Sequence, residues 1–476
     1  MSRSTNGFIK KLVGFSMVTW ISFLFGFIAS PIATRLFSTV EYGKLNKFNT
    51  YAALFSSICY LGLDQTYVRF FRELPEKFTK RSLLTICTLI AILFSIVSSA
   101  ALFFARSFIC NAIVGQFDIQ VYLCFCIYSI SLVLFRFLSL YYRMEQNAKM
   151  YTIQGVVHAA FTRIAYLAIG FKSATACSAI LCLTVIMAII SVVFLLLQRK
   201  AFTMNIAAEH SNEGLKMLFK YALPIIPLSI LTWINSSITT PILDYLMDEN
   251  AIGIYTAALG LASSINIIQS GFNTYWAPYI FEHYEDKDNH RFFDVHRIMT
   301  CLLCLFGITV TLLQAPVFLL LGKDFRSSVV FFPFLFLSPI CYCIGETTGM
   351  GINIAKKTYW TTCIFLFSAI CNIACCFLLI PILGMTGAAI SSAVTAVLTL
   401  ILRTAIGERY YKVLQSNKYL LFAIGVMLLA ATGNLLLNGV LKYAFLTVCL
   451  LTGIFFYRGE LVFLLNTFKE MFKRGQ

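Results

Sequence analysis

Residues 174–198 read ATACSAILCLTVIMAIISVVFLLLQ, and Arg199 and Lys200 follow at once. No charge interrupts this run, which exceeds the roughly 20 apolar residues that a helix needs to cross a bilayer. The pattern, a long apolar run closed by a short polar break, repeats along the chain. About fourteen runs can be counted, near 11–35, 46–66, 82–105, 119–142, 152–171, 174–198, 217–240, 251–275, 293–321, 327–350, 358–380, 385–406, 418–437 and 440–464. Of the 476 residues, 59% are hydrophobic and only 12% are charged. A soluble domain cannot hide so much apolar surface, so the expected fold class is an all-α polytopic membrane protein.

The charge left over is strongly basic, with a formal net value of +16, and in a membrane chain its placement reports topology. With the N-terminus inside, beside Arg3, Lys10 and Lys11, the next inside loop holds Arg69, Arg72, Lys77, Lys80 and Arg81. Later inside segments hold Arg143, Lys149, Arg199, Lys200, Lys216, Lys220, Lys287, Arg291, Arg297, Lys356, Lys357, Arg409, Lys412, Lys418, Lys469, Lys473 and Arg474. The opposite side has Arg35, Lys44, Lys47, Arg106, Lys172, Lys323, Arg326 and Lys442. Inside outnumbers outside by about three to one, which satisfies the positive-inside rule and puts both termini in the cytoplasm. The basic excess is then topology plus attraction to anionic lipid, and no nucleic-acid partner is implied. The first apolar run is too long for a cleavable signal and lacks a small-residue cleavage pattern. The longest breaks, near 199–216 and 281–292, leave no room for a soluble domain. The 16 cysteines fall mostly within the apolar runs and read as small packing residues. Cys301 and Cys304 form a C-x-x-C with no histidine, aspartate or second pair beside it, so no metal is expected.

The chain divides into two similar halves and a tail: a six-helix bundle over 1–200, a second over 201–414, and a helix pair with tail over 415–476. Each half opens on a basic segment and a proline-containing span, Pro31 in one and Pro224 with Pro227 in the other. Each continues through a turn with glycine and tyrosine, Glu41-Tyr42-Gly43 and Gly253-Ile254-Tyr255, and closes its next span on an aromatic, charged stretch. Six spans per repeat gives both halves the same orientation, hence parallel repeats around a central cavity, the architecture of alternating access. No filter loop of the kind that channels use is visible. Gly43 and Gly253 are expected to permit tight turns at the membrane surface, and Pro381, Gly384 and Gly387 a turn into a closely packed helix. Pro224 and Pro227 can kink the seventh span, as a hinge or as a fixed bend.

Seven strings in order carry a family resemblance: TRLFSTVEYG (34–43), LGLDQTYVRFFRE (61–73), YALPIIPL (221–228), NAIGIYTAALGLA (250–262), WAPYIFEHY (276–284), INIAKKT (352–358) and IPILGMTGAAISSAV (380–394). The chain resembles the Wzx-type repeat-unit flippases of the multidrug/oligosaccharidyl-lipid/polysaccharide exporter superfamily along nearly its whole length. The resemblance implies a fourteen-helix transporter, not an enzyme. It would move undecaprenyl-diphosphate-linked oligosaccharide from the inner to the outer leaflet of the bacterial cytoplasmic membrane, for a surface polymer such as O-antigen or capsule. It implies no cofactor beyond a coupling ion, H+ or Na+. Its implied partners are the lipid-linked substrate, membrane lipids, and a polysaccharide polymerase with chain-length machinery.

Ionisable residues in lipid are costly and mark function. Arg163 falls near the middle of the fifth run and Arg136 in the inner half of the fourth. Arginine binds phosphate through a planar, permanently charged fork, so these two are the candidates to hold a diphosphate, with Arg35 on the outward path and Arg69 on the inward. Arg403 is expected to snorkel to the headgroups. His158 projects about 140° from Arg163 on an ideal helix, and is expected to be packed and hydrogen-bonded. Asp64, Glu346 and Asp244 are coupling or gating candidates, each able to bind a cation or to close a salt bridge. Asn266, Gln269 and Asn273, with Asn235 nearby, offer donors and acceptors for sugar hydroxyls, the first three at one-face spacing; interhelical hydrogen bonds are the alternative.

Three other functions compete. A cation antiporter of the same superfamily should carry deep carboxylates, whereas the deepest charge here is Arg163. A lipid II flippase shares the span count and cationic character, and the LDQTYVRFFRE and EYG strings favour the polysaccharide branch. A glycosyltransferase or polymerase would show a large external loop or an acidic metal-binding cluster. Glu282, Glu285, Asp286 and Asp288 instead read as a solvated inside loop.

Overall fold

The computed structural model describes residues 3–76, 78–202, 212–266 and 289–474, together with 269, 272, 273, 276, 279, 280, 283 and 284; the side chains of 3–18, 212, 264, 289 and 467–474 are not among those described. Lys77, Lys287 and the acidic stretch around Glu282 lie outside the described residues. Every regular element among the described residues is a helix. Eleven helices are long and apolar enough to cross a membrane, and a bent pair, Lys323–Val330 with Phe332–Thr348 at 63°, makes twelve. The chain is a multi-pass membrane protein.

The remaining two expected runs are helical as well. Thr39–Cys59 is polar for a span. The run at 251–275 begins as Glu249–Ala262 and continues into the partly described stretch. The last expected span is shorter than the sequence suggests: it ends at Phe456, and a separate helix, Arg458–Arg474, follows.

Two compact units divide the described chain. The first takes Met1–Pro241 with Asp248–Gly253. It contains α1 (Arg3–Leu36), α2 (Thr39–Cys59), α3 (Leu63–Phe70), α4 (Lys80–Leu102), α5 (Arg106–Val114), α6 (Ile119–Met144), α7 (Ala148–Gly170), α8 (Ala176–Leu197), α9 (Asn212–Ala222) and α10 (Ile225–Ser237). Polar side chains in the short breaks start these helices by bonding otherwise unpaired backbone N–H groups. Ser38, Asp118, Asn147 and Thr175 cap α2, α6, α7 and α8, and Thr79 with Ser82 forms a capping box on α4. α1 packs along α7, and α6 packs against α4 and α8. One apolar core joins Phe48, Phe125, Ile180 and Met187, and another joins Leu63, Tyr67, Leu83 and Phe137. The outward faces of the spans are apolar too, as at Val97, Val192 and Leu196, which fits a surface solvated by lipid. Pro224 stands at the break between α9 and α10, where the helix stops at Ala222 and restarts at Ile225.

Gly43 and Gly253 are not turn residues, as expected from sequence, but helical. A Cβ on Gly43 would collide with the Glu249 carbonyl, and one on Gly253 with that of Thr39. The two glycines let the α2 backbone touch the Glu249–Gly253 segment directly, the small-residue contact used between membrane helices.

The second unit takes Ile242–Met247 and Ile254–Gln476. The short α11 (Thr239–Leu246) and the longer α12 (Glu249–Ala262) each begin in the first unit and end in this one. Then come α13 (Asn289–Leu312), α14 (Gln314–Leu319), α15 (Phe332–Thr348), α16 (Met350–Ile354), α17 (Tyr359–Leu383), α18 (Met385–Tyr410), α19 (Lys418–Leu436), α20 (Gly439–Phe456) and α21 (Arg458–Arg474). α18 packs against α15 and α17, while α13 packs against α15, α19 and α20. Cys301 and Cys304 are buried in α13. Gly384 turns α17 into α18 with φ +58°, a value that favours glycine.

Candidate functional site

In the first unit, Arg163 sits in the second half of α7, part-buried, with its Nη1 donating to the Ala159 carbonyl at 3.1 Å. Gly26 of α1 makes room for it, since a Cβ there would stand 3.2 Å from Nη2. Its charge reaches the Tyr42, Tyr128 and Tyr166 phenols and the His158 ring. Among the described residues no carboxylate lies within ion-pair distance of Arg163. His158 is packed as expected, stacked on Phe135 at 4.6 Å. The expected ring hydrogen bond is not seen at its buried Nε2, which has no protein partner among the described residues. The stack on Phe135 orients the ring instead.

Arg136 is paired. Its Nε and Nη2 donate to Asp64 Oδ2 at 3.2 and 2.9 Å, bringing together a substrate candidate and a gating candidate. The carboxylate is buried while 39% of the Arg136 side chain is exposed. Gln65 Nε2 donates to the same oxygen at 2.9 Å. Arg69 makes an exposed pair with Glu73 at 2.8 Å, one helical turn on, and Arg35 lies exposed in the last turn of α1.

The sequence counted Lys47 with surface loop charges. It is instead buried on α2, its side chain 2% exposed, and it meets Glu249 at 3.3 Å. Gly43 stands one turn before Lys47 on the same face, and the Gly43–Gly253 contact brings Glu249 within reach. A lysine four residues after a glycine that a helix crosses was the available signal.

In the second unit Glu346 is the carboxylate of a buried pair. Arg403 Nη1 donates to its Oε1 at 3.1 Å, with the two side chains 9% and 14% exposed. Arg403 therefore does not snorkel. Glu346 holds it inside, and its guanidinium lies over the Tyr342 ring at 5.2 Å. Trp276 Nε1 donates to the Glu346 carbonyl at 3.1 Å. Next in sequence, Thr347 shares a 2.8 Å hydrogen bond with His296 Nδ1, and Thr348 shares one of 2.7 Å with Thr404. Asp244 is half-buried on α11. Asn235 Nδ2 donates to the Leu231 carbonyl at 2.9 Å, an intrahelical bond. Asn266 is exposed, and Gln269 and Asn273 are half-buried; the helix face they were expected to share runs through residues outside those described.

The chain matches the family of "Polysaccharide biosynthesis protein" over residues 8–284, more than half its length. No curated protein matches it. Among solved structures, it is similar to the lipid II flippase MurJ in an inward closed conformation, with TM-score 0.64 and 13% identity over 96% of this chain and 99% of that one. An inward-facing multidrug resistance MATE transporter matches with TM-score 0.59 and 13% identity over 82% and 94% of the two chains. A transporter of the same superfamily from Pyrococcus furiosus, described by a reversed polarity of its binding pocket, matches with 0.51 and 14% over 84% and 95%. The fold is thus that of multidrug/oligosaccharidyl-lipid/polysaccharide exporters, and these neighbours are transporters and flippases. The MurJ match covers too much of the chain to leave out α19 and α20. The chain belongs to the polysaccharide biosynthesis protein family.

Proposed function

We propose that this member of the polysaccharide biosynthesis family moves an undecaprenyl-diphosphate-linked oligosaccharide repeat unit from the inner to the outer leaflet by alternating access. The observation that carries the proposal is Arg163. A guanidinium held within a membrane helix needs a counter-charge or a polar partner, and the other part-buried or buried arginines of the spans, Arg136, Arg297 and Arg403, each have a carboxylate. Arg163 has phenols, a histidine and a backbone carbonyl. A diphosphate supplies what is lacking: two negative groups that accept parallel N–H bonds from the planar fork.

Arg136 would serve as a second contact, exchanging Asp64 for a phosphate oxygen. That exchange would make the Asp64 carboxylate available to a coupling H+ or Na+ at one stage of the cycle, and Glu346 or Asp244 could play the same part. Arg35 and Arg69 would meet the headgroup at the two ends of its path, and Asn266, Gln269 and Asn273 the sugars. The positive-inside bias supports cytoplasmic termini in the inner membrane, with a polymerase and chain-length machinery taking the product.

In proteoliposomes loaded with lipid-linked oligosaccharide, Arg163→Ala protein should lose translocation at wild-type reconstitution levels. Wild-type translocation by well-folded Arg163→Ala protein would remove the basis of the proposal.

A further inference from the structure

The helix α21 follows the last span with Tyr457 alone between them, so it starts where the chain leaves the apolar layer. Its first turn is fixed. Glu460 is 5% exposed and paired with Arg297 of α13, whose guanidinium also lies over the Tyr419 ring at 4.9 Å. A cavity of about 130 Å³ between Asp294, Arg297 and Ile298 on one side and Gly459, Glu460 and Phe463 on the other separates the two helices beyond that contact. The apolar side chains that follow are left uncovered: Val462, Phe463 and Leu465 are 56%, 58% and 59% exposed.

The sequence of α21, RGELVFLLNTFKEMFKR, repeats apolar residues at three- and four-residue steps through Leu461, Leu464, Leu465, Phe468, Met471 and Phe472. This is an amphipathic helix. It is too short in apolar length to span, since its second half carries Lys469, Glu470, Lys473 and Arg474. With Glu460 neutralised by Arg297, the helix is left with Arg458, Lys469, Lys473 and Arg474 against Glu470 alone. An uncovered apolar stripe joined to net positive charge, beginning where a membrane span stops, fits the boundary between acyl chains and anionic headgroups.

We propose that α21 lies in the headgroup layer and binds anionic phospholipid, with its leucine and phenylalanine stripe facing the acyl chains and its basic residues on lipid phosphates. Which leaflet it meets rests on the proposed cytoplasmic C-terminus. The binding itself does not, and vesicles with the same lipids in both leaflets test it whichever way the transporter functions.

The test is amide hydrogen exchange of the full-length protein in vesicles of phosphatidylcholine alone or of phosphatidylcholine mixed with phosphatidylglycerol. Exchange over residues 461–474 should slow at least about fivefold with phosphatidylglycerol and return to the neutral-vesicle rate in high salt. The triple variant Lys469→Glu, Lys473→Glu, Arg474→Glu should lose that lipid dependence while exchange in α13 stays at the wild-type rate, showing that the Glu460–Arg297 attachment is intact. Leu465→Ser should raise exchange in both vesicle types. Equal exchange of the wild-type helix in the two vesicles, or a lipid dependence that survives charge reversal, would overturn the proposal.

Discussion

The two units treat their membrane-embedded charges differently. In the second, Glu346 and Arg403 are both almost fully buried and neutralise each other within a shell that includes Tyr342, with a bond from Trp276 to the Glu346 backbone. In the first, Asp64 is buried but its partner Arg136 is well exposed, and Arg163 has no carboxylate within ion-pair distance among the described residues. A closed pair is a structural feature, because either charge alone would be destabilising in the low-dielectric interior. An open pair and an unmatched guanidinium are instead fit to receive an anion. The first unit is accordingly where the diphosphate is expected, and the contrast can be broken by mutation.

The largest effect should come from Arg163→Ala: translocation falls at least about 100-fold, with little loss of stability because no buried carboxylate is left unpaired. Thermal unfolding in detergent, run beside the transport assay, separates the two outcomes. In the second unit the order should reverse. Arg403→Ala strands Glu346 and should cost about 3–5 kcal/mol of stability, while Arg403→Ala with Glu346→Gln should recover most of it; equal melting of single and double variants would show that the pair is not coupled. Gly253→Ala drives a methyl into the Thr39 carbonyl and should cost about 1–3 kcal/mol, read as a lowered unfolding temperature that Gly260→Ala, where a Cβ meets nothing within 4 Å, does not share. Arg136→Ala should cost about 1 kcal/mol, less than Arg403→Ala, because its guanidinium is partly solvated.

The smallest effect is on pH. Burial raises the Glu460 carboxyl, and the hydrogen bond and charge of Arg297 outweigh it, so Glu460 titrates below its ordinary 4.5. A carboxyl lowered on folding stabilises the fold above its unfolded value, and that contribution is lost as pH falls through the lower folded value. Wild-type protein should therefore lose a small increment of stability below about pH 4.5 that Glu460→Gln lacks. Parallel acid curves for the two proteins would contradict the assignment.

Much of this was legible in the sequence, because apolar runs and basic breaks are set by the bilayer itself. The run at 174–198 became α8 nearly residue for residue. Buried ion pairs were harder to read, since a pair needs two distant segments to meet. Asp64 and Arg136 were each singled out, yet nothing local joins positions 72 apart. Arg403 was expected to snorkel because its position near a span end shows depth but not the carboxylate of α15 that holds it in. Gly43 and Gly253 were expected in turns because a glycine in a helix and one in a turn look alike until the partner backbone is seen. The last apolar run merged α20 with α21, since Leu461–Leu465 extends the hydropathy past the point where Tyr457 ends the span.

The most direct measurement is mass spectrometry of undecaprenyl-diphosphate-linked sugars in cells whose only copy of this protein carries Arg163→Ala. A completed repeat unit that accumulates on its lipid, with the variant present in the membrane at wild-type level, is the predicted result. Lipid-linked sugars at wild-type levels and normal surface polymer would contradict the assignment of Arg163 to the diphosphate.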